Sequence, residues 1–182
     1  MTFVLLTVPH ATQPENEQQR ASDLAARGAA QALNKRLNDL GIVTVLLEGN
    51  VPRKECDLNR HGACSTEPGQ FKYRYVMALR REPALVMDMH SYPDDVTWGL
   101  PFLTSAVVLY EPTNITLAQS LVNALGNVTP AVAGVRGKTN ENYIIVEASR
   151  RGVPALLLEV HEDRSYDAVI DATAAWVKRV IK

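Results

Sequence analysis

Pro154-Ala155-Leu156-Leu157-Leu158-Glu159-Val160-His161 is an apolar run that ends in a carboxylate and an imidazole. Its apolar residues stand at successive positions instead of alternate ones, as in a strand covered on both faces of a parallel sheet. Ala84-Leu85-Val86-Met87-Asp88-Met89 reads the same way and runs into His90-Ser91-Tyr92. Outward from these two, shorter β-branched runs at 3–8, 42–47, 106–110 and 131–135 read as further strands. Helical periods fill 15–40, 70–82, 115–125, 143–151 and 165–181, the first opening at Pro14 and stopping at Gly41. Strands alternating with helices predict a single three-layer α/β/α domain around a mostly parallel, twisted central sheet. The rhythm breaks over residues 49–69, a loop rich in Pro, Gly and charge. Connections that long in a compact domain are usually either functional or disordered.

Length and composition limit what such a domain can do. The 182 residues suit one domain. A formal net charge of −1 excludes a strongly basic nucleic-acid binder. No apolar stretch approaches the roughly 20 residues of a membrane span, and the first ten residues lack the basic start and small-residue cleavage site of a signal peptide. Cytoplasmic residence without membrane or nucleic-acid partners is the expectation; nothing in the sequence speaks to oligomeric state. Four histidines and two cysteines are too few for a zinc finger but sufficient for one catalytic metal.

In open α/β sheets the reactive groups gather at the carboxyl ends of strands. Reading those positions in turn gives His10, Glu48, His90-Ser91-Tyr92 and Glu159-Val160-His161. His10 with Glu15 five residues on, completed by His90, offers three protein ligands and an open fourth position, the pattern of a catalytic zinc site. Glu17 is the reserve carboxylate. The competing reading makes each histidine a helix cap or a satisfied core group. Asp88 shares strand parity with His90 and could orient its ring. Glu159 leaves a buried strand, where a carboxylate is costly unless it is paired or its pKa rises to suit a task such as general-base catalysis. A salt bridge to Arg164 or Arg150 is the plainer alternative. His161 is expected to point to the opposite side. In the irregular loop, Asn59 and Arg60 of Asp57-Leu58-Asn59-Arg60 offer planar, multi-donor recognition of a carboxylate. Arg53 and Lys54 add positive charge. Tyr92, Tyr110 and Tyr143 could reach such a site, with core packing favoured for Tyr110. Cys56 and Cys64 flank the loop motif and could clasp it, although free thiols are the default in a cytosolic chain. No Gly-rich dinucleotide fingerprint follows the first strand; Val8-Pro9-His10-Ala11 stands there instead.

Taken in order, these pieces resemble the zinc carboxypeptidase superfamily. His10 resembles its first zinc ligand, Asp57-Leu58-Asn59-Arg60 its D-L-N-R motif, His90-Ser91-Tyr92 its H-S-Y stretch and Glu159 its catalytic glutamate, over residues 3 to 166. The usual H-x-x-E is absent, because Gln13 stands three residues after His10. The H-x4-E spacing to Glu15 and the short chain are closer to the small poly-γ-glutamate hydrolases and N-formylglutamate amidohydrolases. The resemblance implies a carboxypeptidase-like, phosphorylase/hydrolase-like fold. It also implies zinc on His10, Glu15 and His90, with Glu159 as general base and Arg53 assisting at the oxyanion. Asn59, Arg60, Tyr92 and Tyr143 would then hold a small peptide or acyl-amino-acid substrate through its free carboxylate. A metal-free binding module on the same fold is the rival expectation.

Overall fold

The computed structural model describes residues 2–12, 23, 25–53, 55–62, 64, 67, 69–92, 105–129, 131–135 and 142–181. Glu15, Glu17, Gln13 and Pro14, and with them the expected start of the first helix, lie outside the described residues. So does Lys54.

Among the described residues six strands form one sheet: β1 (Val4–Val8), β2 (Thr44–Glu48), β3 (Leu85–Tyr92), β4 (Ala106–Tyr110), β5 (Ala131–Val135) and β6 (Ala155–His161). Their order across the sheet is β2-β1-β3-β6-β4-β5. β2, β1, β3 and β6 run parallel, whereas β4 is antiparallel to β6 and carries β5 parallel to itself. The sheet is therefore mixed at one side instead of parallel throughout. The two long strands, β3 and β6, lie side by side at its centre, and every residue of both is buried.

Strand parity divides the core into two. On one face Val4, Leu6 and Val8, Leu85, Met87 and Met89, and Leu156, Leu158 and Val160 pack under α1 (Ala26–Asp39), α3 (Ile115–Leu125) and α5 (Asp167–Val180). On the other, Leu5, Val86, Val107, Leu109, Ala155 and Leu157 pack under α2 (Phe71–Leu79) and α4 (Tyr143–Arg150). Tyr75 Oη ties these last two helices by donating to the Ile144 carbonyl at 2.6 Å. α1 ends as its sequence predicts: Gly41 takes φ 77°, and the Ile42 amide returns to the Leu37 carbonyl at 2.9 Å. Tyr110 packs in the core beneath α1, α3 and α5. Because β4 is reversed, its carboxyl end lies by Leu156, at the far edge from Glu159. Among the described residues no helix is long and apolar enough to cross a membrane.

One close approach aligns the carboxyl ends of β1 and β2. The Gly49 amide donates to the Val8 carbonyl at 2.8 Å, and a Cβ on Gly49 would stand 2.0 Å from the Pro9 carbonyl oxygen. Since that neighbour is backbone, a side chain here must push the Pro9–His10 turn away. Gly49→Ala is therefore expected to destabilise the protein by about 2 kcal/mol, a typical overpacking cost, read as a shift in the urea midpoint at unchanged slope.

Candidate metal centre

Parity places Asp88 and His90 of β3, with Glu159 and His161 of β6, on the face that carries α2 and α4, at the carboxyl ends of the strands. His90 and Glu159 are register partners on adjacent parallel strands. His10 enters from the turn after β1, and Asp23 from the segment leading into α1. Both are buried.

Three donors converge. Asp23 Oδ2 lies 3.1 Å from His10 Nδ1 and 2.6 Å from His90 Nδ1, and the two rings stand edge to face with centroids 5.0 Å apart. The ligating atoms of His10, Asp23 and His90 all fall within 4.8 Å of one another. Each imidazole is backed at its other nitrogen by a carboxylate: His10 Nε2 lies 2.8 Å from Asp57 Oδ1, and His90 Nε2 lies 3.0 Å from Asp88 Oδ2. A metal-binding histidine characteristically has such a carboxylate behind it, which sets the tautomer and ring orientation. Two imidazoles and one carboxylate, buried and backed in this way, suit a divalent ion such as zinc.

The electrostatics match a site built around positive charge. Burial alone would raise the Asp23 carboxyl, but the His90 charge and hydrogen bonds from both histidines hold it well below the usual range. Burial likewise opposes ionisation of Asp57, which is nonetheless depressed by His10, Arg53 and the Asn59 amide. His90 is fully enclosed, which by itself favours the neutral ring. Asp88 and Asp23 outweigh this and keep it protonated well above the ordinary histidine range when no metal is bound. Glu159 is shifted the other way: burial, reinforced by Asp23 and Asp88 and opposed by His90 and Arg53, pushes its carboxyl up to about 7.

The loop motif supports this cluster from beneath. Asn59, expected to hold substrate, is buried and its amide is committed inside the protein. Its Nδ2 donates to Asp88 Oδ2 at 3.2 Å and lies 3.1 Å from His90 Nε2, while its Oδ1 accepts the Ile144 amide at 3.1 Å. Its backbone carbonyl accepts the Tyr143 amide at 2.8 Å. One residue thus caps the start of α4 and braces His90. Arg60 Nε donates to Asp57 Oδ2 at 3.0 Å. Arg53 spans two carboxylates, at 3.3 Å from Asp57 Oδ2 and 3.4 Å from Asp23 Oδ1. Both arginines keep more than two fifths of their side-chain surface exposed, so they line the opening of the site. Tyr143 is partly buried beside His61 and Lys72, with the Lys72 ammonium 4.5 Å from its ring centre and burial raising its phenol. Tyr92 is buried against His161, ring centres 5.0 Å apart.

Three outcomes differ from the sequence reading. Among the described residues the carboxylate that meets both histidines is Asp23, which no spacing rule singled out. An aspartate just before an Ala-rich helical run is a helix-start signal, and it would have drawn attention to Asp23 had the helix not been extended back to residue 15. His161 shares the face of Glu159 instead of opposing it, because residues two apart on a strand point the same way. Cys56 and Cys64 form a disulfide, not free thiols: the loop reverses between them and brings their Cα atoms to 5.7 Å, an ordinary bridge separation. Glu48, also at a strand end, is occupied by Arg27 and Gln31 on the surface of α1.

No protein-family profile matches the chain, and no curated protein matches it by sequence. Solved structures do match it in fold. A gene product of Agrobacterium tumefaciens, Atu2144, superposes with a TM-score of 0.67 at 16% identity, covering 99% of this chain and 89% of its own. N-formylglutamate amidohydrolase of Ralstonia eutropha JMP134 gives a TM-score of 0.62 at 12% identity, covering 98% of this chain and 92% of that one. The N-acetylmuramoyl-L-alanine amidase AmiC2 of Nostoc punctiforme gives 0.61 at 15% identity, covering 98% and 96%.

The raised Glu159 carboxyl has a measurable signature in metal-stripped protein. The folded state keeps that proton to higher pH than the unfolded chain, so stability falls as pH rises from about 4.5 through about 7. Glu159→Gln is expected to flatten this part of the profile, gaining at most roughly 3 kcal/mol over wild type above neutrality in denaturant titrations.

The chain thus shares the α/β fold of the amidase AmiC2 and of N-formylglutamate amidohydrolase, and it carries a buried His-Asp-His cluster at the carboxyl ends of its central strands.

Proposed function

We propose that this protein is a metal-dependent hydrolase that cleaves a peptide or amide bond next to a free carboxylate. The reading is carried by one juxtaposition: the donors of His10, Asp23 and His90 converge beside a buried Glu159 whose carboxyl is pushed up to about 7. His10, Asp23 and His90 would hold the ion, and zinc suits this donor set. When bound, it supplies Lewis-acid polarisation of the scissile carbonyl and acidifies a water molecule.

The chain's own residues then divide the work. Glu159 accepts a proton from the attacking water and delivers it to the leaving amine, a task for which a pKa near 7 suits both directions of transfer. Asp57 and Asp88 hold Nε2 of each histidine, which would leave Nδ1 free to meet the ion. Arg53, beside the cluster and partly exposed, meets the negative charge that develops on the carbonyl oxygen. With Asn59 committed to α4 and His90, recognition of a substrate carboxylate falls to Arg60, with Tyr92 and Tyr143 as candidate walls. A small peptide and an N-acyl amino acid both fit.

Metal analysis is the primary test. Wild-type protein is expected to carry one zinc per chain, and both His10→Ala and Asp23→Ala to lose it; unchanged stoichiometry in either variant rejects the centre. Glu159→Gln is expected to keep its zinc and lose hydrolysis by a factor of 100 or more, in line with general-base contributions of roughly 10²–10⁴. Turnover of a panel of C-terminal peptides, γ-glutamyl chains and N-acyl amino acids then assigns the substrate class. The same preparations test compartment. Outside hyperthermophiles disulfides rarely persist in cytosol, so a Cys56–Cys64 bond that survives in native cells lysed with a thiol trap counts against cytoplasmic residence there.

A further inference from the structure

Asp23 reaches the metal centre from a segment just outside α1, so something must hold that segment at the right height. The end of β3 does this from both sides of the sheet. His90 and Ser91 are neighbours on β3 and project to opposite faces. On one face His90 Nδ1 meets Asp23 Oδ2 at 2.6 Å. On the other, buried Ser91 accepts the Ala25 amide on its Oγ at 3.1 Å, two residues after Asp23. The Asp23 carbonyl in turn accepts the Ala26 amide at 3.1 Å, closing the first turn of the segment. Ser91 Oγ donates its own hydrogen to Glu162 Oε1 at 2.9 Å, and the Glu162 amide donates to the Tyr92 carbonyl at 2.9 Å. With its hydrogen given to Glu162, the hydroxyl can only accept from Ala25, which fixes the polarity of the chain.

We propose that Ser91 is a positioning residue of the metal centre, setting the place of Asp23 through the Ala25 amide. This rests on the metal reading above and adds to it a residue that touches neither ion nor substrate. A hydroxyl oxygen two bonds from the sheet backbone is short and buried, so it holds the segment more rigidly than a long side chain would. The link through Glu162 couples the same segment to the end of β6, the strand that carries Glu159.

The test is the zinc dissociation constant of the full-length protein, measured with zinc alone against a chromophoric chelator, alongside the melting temperature of the metal-free form. Ser91→Ala is expected to weaken zinc binding roughly tenfold, the lower end of the effect of removing an outer partner. Ser91→Thr, which keeps the hydroxyl, restores most of the affinity. Ala25→Pro deletes the donor while leaving Ser91 intact, at a helix-start position that tolerates proline, and is expected to reproduce the loss. In an Asp23→Asn background Ser91→Ala adds nothing further. Unchanged affinity in both Ser91→Ala and Ala25→Pro overturns the proposal, as does a loss that adds in full to that of Asp23→Asn. A fall in melting temperature without a change in affinity likewise makes Ser91 merely structural. If wild-type protein binds no zinc, or Asp23→Asn and His10→Ala bind it as wild type does, the metal reading itself fails, a result distinct from each of these.

Discussion

A single carboxylate oxygen, Asp23 Oδ2, lies against Nδ1 of both His10 and His90, and most of the buried polar structure follows from satisfying what that contact brings out of water. Burying a carboxylate among apolar strands is unfavourable by several kcal/mol unless charge and hydrogen bonds compensate it. Two imidazoles on one oxygen and Arg53 on the other do so. Each imidazole then needs a partner of its own, supplied by Asp57 and Asp88. Asp88 in turn is held by the Thr7 hydroxyl at 2.7 Å and by the Asn59 amide. Such networks hold their geometry well when every member is paired.

Asn59 shows how the network reaches the rest of the fold. Its carbonyl groups cap α4 and its amide nitrogen braces β3, so the irregular loop that carries it is welded to both layers. Lys72 of α2 adds a further tie by donating to the Arg60 carbonyl at 2.5 Å while lying over the Tyr143 ring. The disulfide closes the same loop around Asp57 and Asn59. What reads as an extended surface connection is a rigid floor for the histidines.

Much of this was legible in the residues, for identifiable reasons. The six strands stand out because unbroken apolar runs such as Ala155–Leu158 have few other uses, and helix α3 coincides with its predicted span of 115–125. His10, His90 and Glu159 follow from the strand-end rule. Asp88 follows from parity, since orientation along a strand repeats every two residues. Asp23 did not, because its role depends on where α1 begins, and helix starts are blurred when Ala-rich sequence continues the period on both sides. The commitment of Asn59 to α4 depends on a contact 84 or 85 positions along the chain, which no local pattern encodes. The reversal of β4 had a sequence cue: no helical period separates it from β3, and a parallel return needs a crossover.

That reversal alters which parts of the chain can change without cost. β4 runs against β6, so the backbone entering it, not leaving it, borders the reactive edge. Ser105 accepts the His161 amide at 3.2 Å and binds Arg164 there. Ser105 thus borders β6 from a stretch of chain other than those that carry His10, Asp23, His90 and Glu159. Substitution at Ser105 can therefore alter the border of β6 while the donors of the cluster stay in place. The border of this edge and the donors upon it are, in this architecture, separately heritable.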